Sequence, residues 1–232
     1  MVRLENLNKT FHVNGRSKVV ANDINVTFPT GRAVGLLGRN GAGKSTLLNM
    51  IAGRIEPSSG SILSTGSISW PVGFAGSFHR DLTGEQNVRF VARIYGLDTE
   101  EVCDFVEKFA ELGVHFRLPY RSYSSGMRSR LAFACSMSVP FDTYLIDEIT
   151  AVGDAAFRQR CNELLAERLE TASAIVVSHS ISGLRRLCIS GAVLENGKLT
   201  YYSRLNDAIQ QHLTNMGVDA EPEDLPDYDE EG

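Results

Sequence analysis

The sequence predicts an α/β protein whose core is a parallel β-sheet flanked by helices. Three observations carry this prediction. "AVGLLG", from Ala33 to Gly38, is a continuous apolar run typical of a buried parallel strand. "TYLID" and "AIVVSH" are two further runs of this kind, and a helical segment from Phe157 to Leu169 separates them. Strands that alternate with helices in this way favour a parallel sheet with crossover helices.

The elements around this core follow from their residue patterns. Alternating residues in "VRLENL" and "NDINVTF" indicate short strands, which we expect to form an N-terminal antiparallel β layer. "KSTLLNMIAGR" has apolar residues at helical spacing after "AVGLLG". The pattern is mainly helical from Gly84 to Pro140, which predicts an inserted α-helical subdomain over about residues 84–140. "GAVLENGKLTYY" should form a hairpin, because Asn196-Gly197 is a strong turn signal.

Composition excludes several classes of protein. At 232 residues the chain can bury a hydrophobic core in one domain. The four cysteines are far apart and form no C-x-x-C pair, so we expect reduced, mostly buried thiols and no zinc site. Polar residues follow Met1, and no apolar run approaches the ~20 residues that cross a bilayer. We therefore expect neither a secretory signal nor a membrane span.

Acidic residues are concentrated at the C-terminus. Eight of the 28 Asp and Glu side chains lie in residues 219–232, which contain no Lys or Arg. This composition predicts a folded domain of residues 1–218 and a disordered acidic tail of residues 219–232. Without the tail, 23 basic side chains stand against 20 acidic ones, and this near neutrality argues against nucleic acid as a partner.

The strongest chemical signal is "GRNGAGKST", which lies between a predicted strand and a predicted helix. Its first eight residues match the phosphate-loop pattern G-x-x-x-x-G-K-[ST]. Backbone N–H groups of such a loop surround phosphates, Lys44 supplies a cation, and the Ser45 hydroxyl is placed for Mg²⁺. The predicted nucleotide-binding residues are Gly38, Arg39, Asn40, Gly41, Ala42, Gly43, Lys44, Ser45 and Thr46.

Polar residues also close two of the apolar strands. Asp147 and Glu148 end the strand in "YLIDE", where Asp147 is placed to hold Mg²⁺ and Glu148 to activate water as a general base. His179 ends "AIVVSH", at the strand end where open α/β sheets place ligands. A lone histidine at a strand end is more often structural, so its assignment depends on the order of the motifs.

A third motif, "YSSGMRSRL", allows two interpretations. Small polar residues before a helix can cap its first N–H groups. Alternatively, those N–H groups and the positive end of the helix dipole are left open for a phosphate.

The order of these motifs resembles that of the nucleotide-binding subunit of an ABC transporter, over about the first 215 residues. The resemblance implies ATP and Mg²⁺ as the bound species and a homodimer that sandwiches two ATP molecules. Ser124, Ser125 and Gly126 would face ATP held by the other subunit, and Asp154 in "AVGD" would communicate across the dimer. His179 would act as the switch histidine near the γ-phosphate, beside the catalytic Lys44 and Glu148.

The resemblance also implies a role for Phe11, which stands where the family carries an aromatic residue that stacks on adenine. Two departures from the family pattern accompany it. Ser125 and Met127 replace a glycine and a glutamine of the usual signature, and no glutamine precedes "LTGEQNV", where His79 or a backbone group would serve instead.

The motifs resemble most those of the ATPase subunits that export capsular polysaccharide. This implies an ATPase at the cytoplasmic face of the bacterial inner membrane, peripheral and bound to an integral membrane permease of the polysaccharide export machinery. The alternatives are an O-antigen or teichoic-acid type exporter and a soluble ABC-type ATPase. Core packing is the better explanation for any single one of Trp70, Phe74, Phe78 and Phe90, but as a group we predict that they include an exposed apolar groove for a partner helix.

Overall fold

A computed structural model describes residues 1–13, 15–73, 76, 78–147, 154–178 and 180–217. Within these ranges the strands are β1 (Val2–Val13), β2 (Arg16–Phe28), β3 (Ala33–Leu37), β4 (Ser59–Ser64), β5 (Ile68–Pro71), β6 (Thr143–Asp147), β7 (Ser173–Val177), β8 (Ser190–Glu195) and β9 (Lys198–Tyr202). The α-helices are α1 (Lys44–Ile51), α2 (Gly84–Ile94), α3 (Thr99–Ala110), α4 (Ser125–Ser138), α5 (Ala155–Leu169), α6 (Ile181–Leu187) and α7 (Leu205–Met216). Two short 3₁₀ helices cover Gly113–Arg117 and Tyr120–Ser122.

The chain divides into two compact units, of which the first comprises the described residues of Met1–Thr65 and Ile175–Gly232. Its outer layer is an antiparallel sheet with the strand order β2-β1-β4. Its second sheet has the neighbours β7-β3-β8-β9, and β3 runs parallel to β8 with Leu37 opposite Val193. Leu36, Leu48 and Ile209 are fully buried in this unit. The predicted antiparallel layer and parallel core are therefore present.

The hairpin of β8 and β9 forms as the sequence predicts. Glu195 pairs with Lys198, so Asn196 and Gly197 make a two-residue turn. Their φ angles are 47° and 77°. A turn of this kind needs positive φ at both positions, which asparagine tolerates and glycine adopts freely.

The second unit, Gly66–Ala174, contains the parallel pair β5 and β6 and the helices α2 to α5. Thr83 begins α2 through a capping box, because its hydroxyl accepts from Gln86 N and the Gln86 side chain accepts from Thr83 N. Val88, Phe133 and Phe157 are fully buried in the core of this unit.

Three of these helices, α2 to α4, lie in the range 84–140 for which a helical subdomain is predicted. The division into a domain and an acidic tail stays a prediction, since residues 218–232 lie outside the described ranges. All four cysteines are buried and free, as expected. Among the described residues, none of the helices has the length and apolar character needed to cross a membrane.

Candidate functional site

The phosphate loop connects the end of β3 to the start of α1, in the first unit. Gly38 and Gly43 have φ angles of 152° and 110°. A Cβ on Gly38 would lie 2.4 Å from the carbonyl oxygen of Leu194, and one on Gly43 would lie 2.2 Å from Cγ1 of Val20. Both positions therefore require glycine, for conformation and for space.

The start of α1 is open toward an anion. Gly43 occupies the N-cap position in the left-handed conformation, and no side chain caps the helix. The first turn contains no acidic residue. Because the first N–H groups of a helix have no partner within it and carry the positive end of its dipole, they favour a bound phosphate.

Lys44 places its ammonium group over the loop. Its Nζ atom donates to the carbonyl oxygens of Gly38 at 2.7 Å and Arg39 at 3.2 Å. A phosphate bound in the loop would offer the same ammonium stronger, charged acceptors. Ser45, the next residue, is exposed.

A cavity of about 480 Å³ lies beside the loop in the same unit. Its lining residues are Leu36, Leu37, Gly38, Arg39, Asn40, Lys44, Ser178, Ile181, His212, Leu213 and Met216. Three of these belong to α7, whose sequence carries no recognisable motif. Sequence reasoning therefore missed this wall of the site.

His212 is the titratable residue that α7 brings to the cavity. Its Nδ1 atom is buried and has no hydrogen-bond partner among the described residues. Burial lowers the pKa of His212, and the positive charge of Lys44 lowers it further, against the opposing effect of Glu195. His212 therefore favours its neutral form in the folded chain.

The helix-start motif Ser124–Gly126 lies in the second unit. Ser124 is the N-cap of α4, and its Oγ atom accepts a hydrogen bond from Met127 N at 3.2 Å. The first turn has no acidic residue, and both Ser124 and Ser125 are exposed. The hydroxyl thus caps the helix, while the N–H groups of Ser125 and Gly126 have no acceptor within it. The two sequence interpretations are compatible.

Asp154 joins two helices of the second unit. Its Oδ1 atom accepts from Phe157 N at 2.9 Å and so caps α5. Its Oδ2 atom accepts from Nη2 of Arg130, on α4, at 2.8 Å. The hydrogen bond from Phe157 N and the charge of Arg130 lower the pKa of Asp154. The predicted role of this carboxylate across a dimer remains a prediction.

The other predicted site residues are distributed between the units. Phe11 is half-exposed on β1 in the first unit, with Lys9 Nζ 4.9 Å from its ring centroid. Asp147 is half-buried at the end of β6 in the second unit. Glu148 and His179 lie outside the described residues, so their roles stay predictions.

The fold and the loop define a nucleotide-binding protein of the phosphate-loop class. The family model described as ABC transporter matches residues 21–151, more than half of the chain. The chain belongs to the ABC transporter family, and the predicted resemblance is confirmed.

Three curated relatives are similar to this chain over most of their length. KpsT of Escherichia coli, a polysialic acid transport ATP-binding protein, is 46% identical over 95% of this chain and 100% of its own length. CtrD of Neisseria meningitidis, a capsule polysaccharide export ATP-binding protein, is 43% identical over 91% and 98%. RfbB of Klebsiella pneumoniae, from an O-antigen export system, is 38% identical over 81% and 78%.

A solved structure of the ATP-binding subunit of an ABC transporter has the same fold. It superposes with a TM-score of 0.79 at 23% identity and covers 97% of this chain and 96% of its own. The predicted fold class is confirmed by this similarity.

Proposed function

We propose that this chain is the ATP-hydrolysing subunit of a transporter that exports capsular polysaccharide across the bacterial inner membrane. The observation that carries the proposal is an intact phosphate loop in a chain that matches KpsT and CtrD over nearly their whole length. RfbB, which serves O-antigen export, is less similar and is matched over only 78% of its length. An O-antigen or teichoic-acid exporter is the second candidate, and a soluble ABC-type ATPase the third.

The first unit provides the residues that bind the phosphates of ATP. The N–H groups of the loop and of the start of α1 converge without a competing carboxylate in the first turn. Lys44 exchanges its two carbonyl acceptors for phosphate oxygens. Phe11 offers a half-exposed ring for the adenine.

The chemistry of Ser45 fits a magnesium ion bound with the nucleotide. The exposed Ser45 hydroxyl beside the phosphate loop is an oxygen ligand of the type that Mg²⁺ prefers, and the sequence motifs imply the Asp147 carboxylate as a second one. Bound there with the nucleotide, the ion would neutralise charge on the phosphates. Glu148 would accept the proton of the attacking water, and His179 would hold the γ-phosphate in place.

Hydrolysis would require two copies of the chain. Ser124 to Gly126 are exposed or half-exposed at the start of α4, and two of their N–H groups lack an acceptor within the helix. We assign these groups to the γ-phosphate of ATP bound by the partner copy. Closure of the dimer on ATP and its opening after hydrolysis would drive an integral membrane permease from the cytoplasmic side.

The proposal is tested by complementation of a capsulated bacterium that lacks its own export ATPase. Expression of this chain should restore polysaccharide at the cell surface, while the Lys44→Ala variant should leave it inside the cell. The same complementation in a strain that lacks an O-antigen export ATPase tests the second candidate function. Rescue of O-antigen display alone would overturn the capsule assignment, and rescue of neither strain despite a stable membrane complex would overturn export.

The aromatic residues that the sequence groups into a docking surface differ in their exposure. Phe78 is buried, and Trp70 packs on Phe141 while its Nε1 atom donates to Ser136 Oγ at 2.9 Å. For Phe78 this agrees with core packing, which is the better explanation for any single one of the four residues, and Trp70 packs on the core of the second unit. Phe74 lies outside the described residues. Phe78 is buried because large apolar rings are more stable in a protein core than in water.

Phe90 remains a candidate contact, together with Ile94 one helical turn away. Their exposed fractions are 56% and 62%, and the spacing of four residues places both on one face of α2. Replacing both by serine should reduce surface polysaccharide and membrane association severalfold, because apolar area that the permease covers is lost. ATP affinity should not change. Immunoblots of membrane fractions and capsule staining measure the effect.

A matched control is Ile189→Ser, which removes an exposed apolar side chain (61%) from the other unit. It should leave export unchanged. Full export by the double variant of α2 would show that the permease binds elsewhere.

A further inference from the structure

Strand β2 approaches the phosphate loop at two residues. Val20 packs against Gly43 so closely that a Cβ there would lie 2.2 Å from Cγ1 of Val20. Two residues earlier, Lys18 Nζ lies 3.8 Å from where a Cβ on Gly41 would be. The ammonium group of Lys18 is therefore beside the turn of the loop at Gly41.

An irregularity in the pairing of β2 with β1 affects the direction of the Lys18 and Val20 side chains. Ala21 pairs with Lys9 and Val19 with Thr10, so one additional residue of β2 is accommodated at Val20. Such bulges bend a strand and redirect its side chains, and they are frequent beside functional sites. The strand thus turns toward the loop at this point.

Beyond the bulge, β2 aligns Lys18 with the aromatic residue of the site. Phe11 pairs directly with Lys18 in the antiparallel register. Side chains of directly opposed residues lie on the same face of a sheet, with Cβ atoms about 5 Å apart. Phe11, Lys18 and Gly41 therefore follow one another in space, from the half-exposed ring to the phosphate loop.

The two lysines near Phe11 differ in their partners. Lys9 lies over the ring and donates to the carbonyl oxygen of Glu56 at 2.7 Å. Lys18 is exposed, and within the part of the chain that the structure describes it makes no hydrogen bond or ion pair. Its charge is thus available to a ligand, and binding would break no existing contact.

We propose that Lys18 is a further nucleotide-binding residue, which supplies a second cation to the polyphosphate of ATP and is lined up with the ring of Phe11. The proposal rests on the proposed function, because it assumes that the loop binds ATP. Phe11 would contact the base and the loop at Gly41 would contact the phosphates, and Lys18 lies between them with its ammonium group beside Gly41. Lys44 neutralises the phosphates from the helix side, and Lys18 does so from the sheet side.

The test is calorimetric titration of the full-length chain with ATP at low and high salt. Lys18→Gln should weaken ATP binding about tenfold at low salt, the range expected for one charge-assisted hydrogen bond. The loss should shrink at high salt, because the contact is exposed and screened. Lys18→Arg should restore most of the affinity. The ATPase KM should rise with Lys18→Gln, while kcat at saturating ATP stays within twofold.

Lys198→Gln is the matched control, since it removes one exposed lysine from β9 of the same unit. It should bind ATP as the wild type does. Wild-type affinity in Lys18→Gln would overturn the proposal, as would a loss that is independent of salt and not restored by arginine, which would indicate packing. Failure of the wild-type chain itself to bind ATP would instead overturn the proposed function.

Discussion

The Lys44→Ala substitution should abolish ATP turnover and weaken ATP binding at least tenfold. The folded chain already holds the Lys44 ammonium over the loop through the carbonyl oxygens of Gly38 and Arg39. Truncation removes the cation that faces the phosphates and leaves those two carbonyls without their donor. Contacts between an ammonium and a phosphate are charge-assisted and stabilise the complex by about 1.5–3 kcal/mol. Phosphate release and nucleotide titration measure the two effects.

The contrasting variant is Glu148→Gln, which should bind ATP normally. Loss of a general base lowers turnover by about 10²–10⁴-fold without removing a phosphate contact. The ATP-bound dimer should then accumulate, which size-exclusion chromatography with ATP and Mg²⁺ would detect. Unchanged ATP affinity in Lys44→Ala would contradict the phosphate-loop assignment, and normal turnover in Glu148→Gln would remove that residue from catalysis.

The part of the site that local sequence could predict is the part that local geometry determines. Gly38 and Gly43 are conspicuous because the loop needs positive φ angles and allows no Cβ, requirements met within nine consecutive residues. The turn at Asn196-Gly197 is predictable for the same reason. Each is a short-range demand of the backbone on residue type.

Lys18 and His212 could not be found in this way. Lys18 reaches the loop because of the register of β1 with β2 and the additional residue at Val20. His212 reaches the cavity because α7 lies along it. Neither position has a neighbouring motif, and an isolated lysine or histidine is usually a solvated or core residue. Only strand pairing distinguishes Lys18, and only helix packing distinguishes His212, from other isolated residues of the same type.

The sequence patterns leave out the shortest or least periodic elements. Strand β4 has only two apolar residues, and β5 has four residues that end in Pro71. Helix α6 has seven residues and contains Gly183. Tertiary packing stabilises such elements against weak intrinsic propensity. Burial of Phe78 in the core is likewise a result of tertiary packing.

Asp154, which is assigned to the dimer, also makes two contacts within its own chain. Asp154 is both a helix cap and the partner of Arg130, so it connects the start of α5 to α4, the helix that begins at Ser125. The ion pair thus couples the start of α5 to α4 within one chain. This coupling is part of the reason to test the start of α4 separately from Asp154.

The Ser124→Asp substitution should abolish ATP hydrolysis without unfolding α4. Ser124 caps the helix by accepting from Met127 N, and aspartate is an equally good cap. Its negative charge would, however, oppose the γ-phosphate of ATP held by the partner chain. Ser124→Asp should therefore bind ATP through its own loop but not hydrolyse it, while Ser124→Thr, which keeps the hydroxyl, should retain most of the turnover.

Mixing Ser124→Asp with Lys44→Ala tests whether the site is shared. In the mixed dimer, one site carries both changes and the other carries neither, because loop and helix start come from different chains. Random pairing in an isologous dimer should restore roughly a quarter of the wild-type rate from two nearly inactive proteins. If tagged chains prove that mixed dimers form and the rate stays at the parental level, nucleotide-dependent crosslinking of position 124 to position 40 decides the cause. A crosslink between chains would mean that both sites must be intact for turnover, and its absence would refute the shared site.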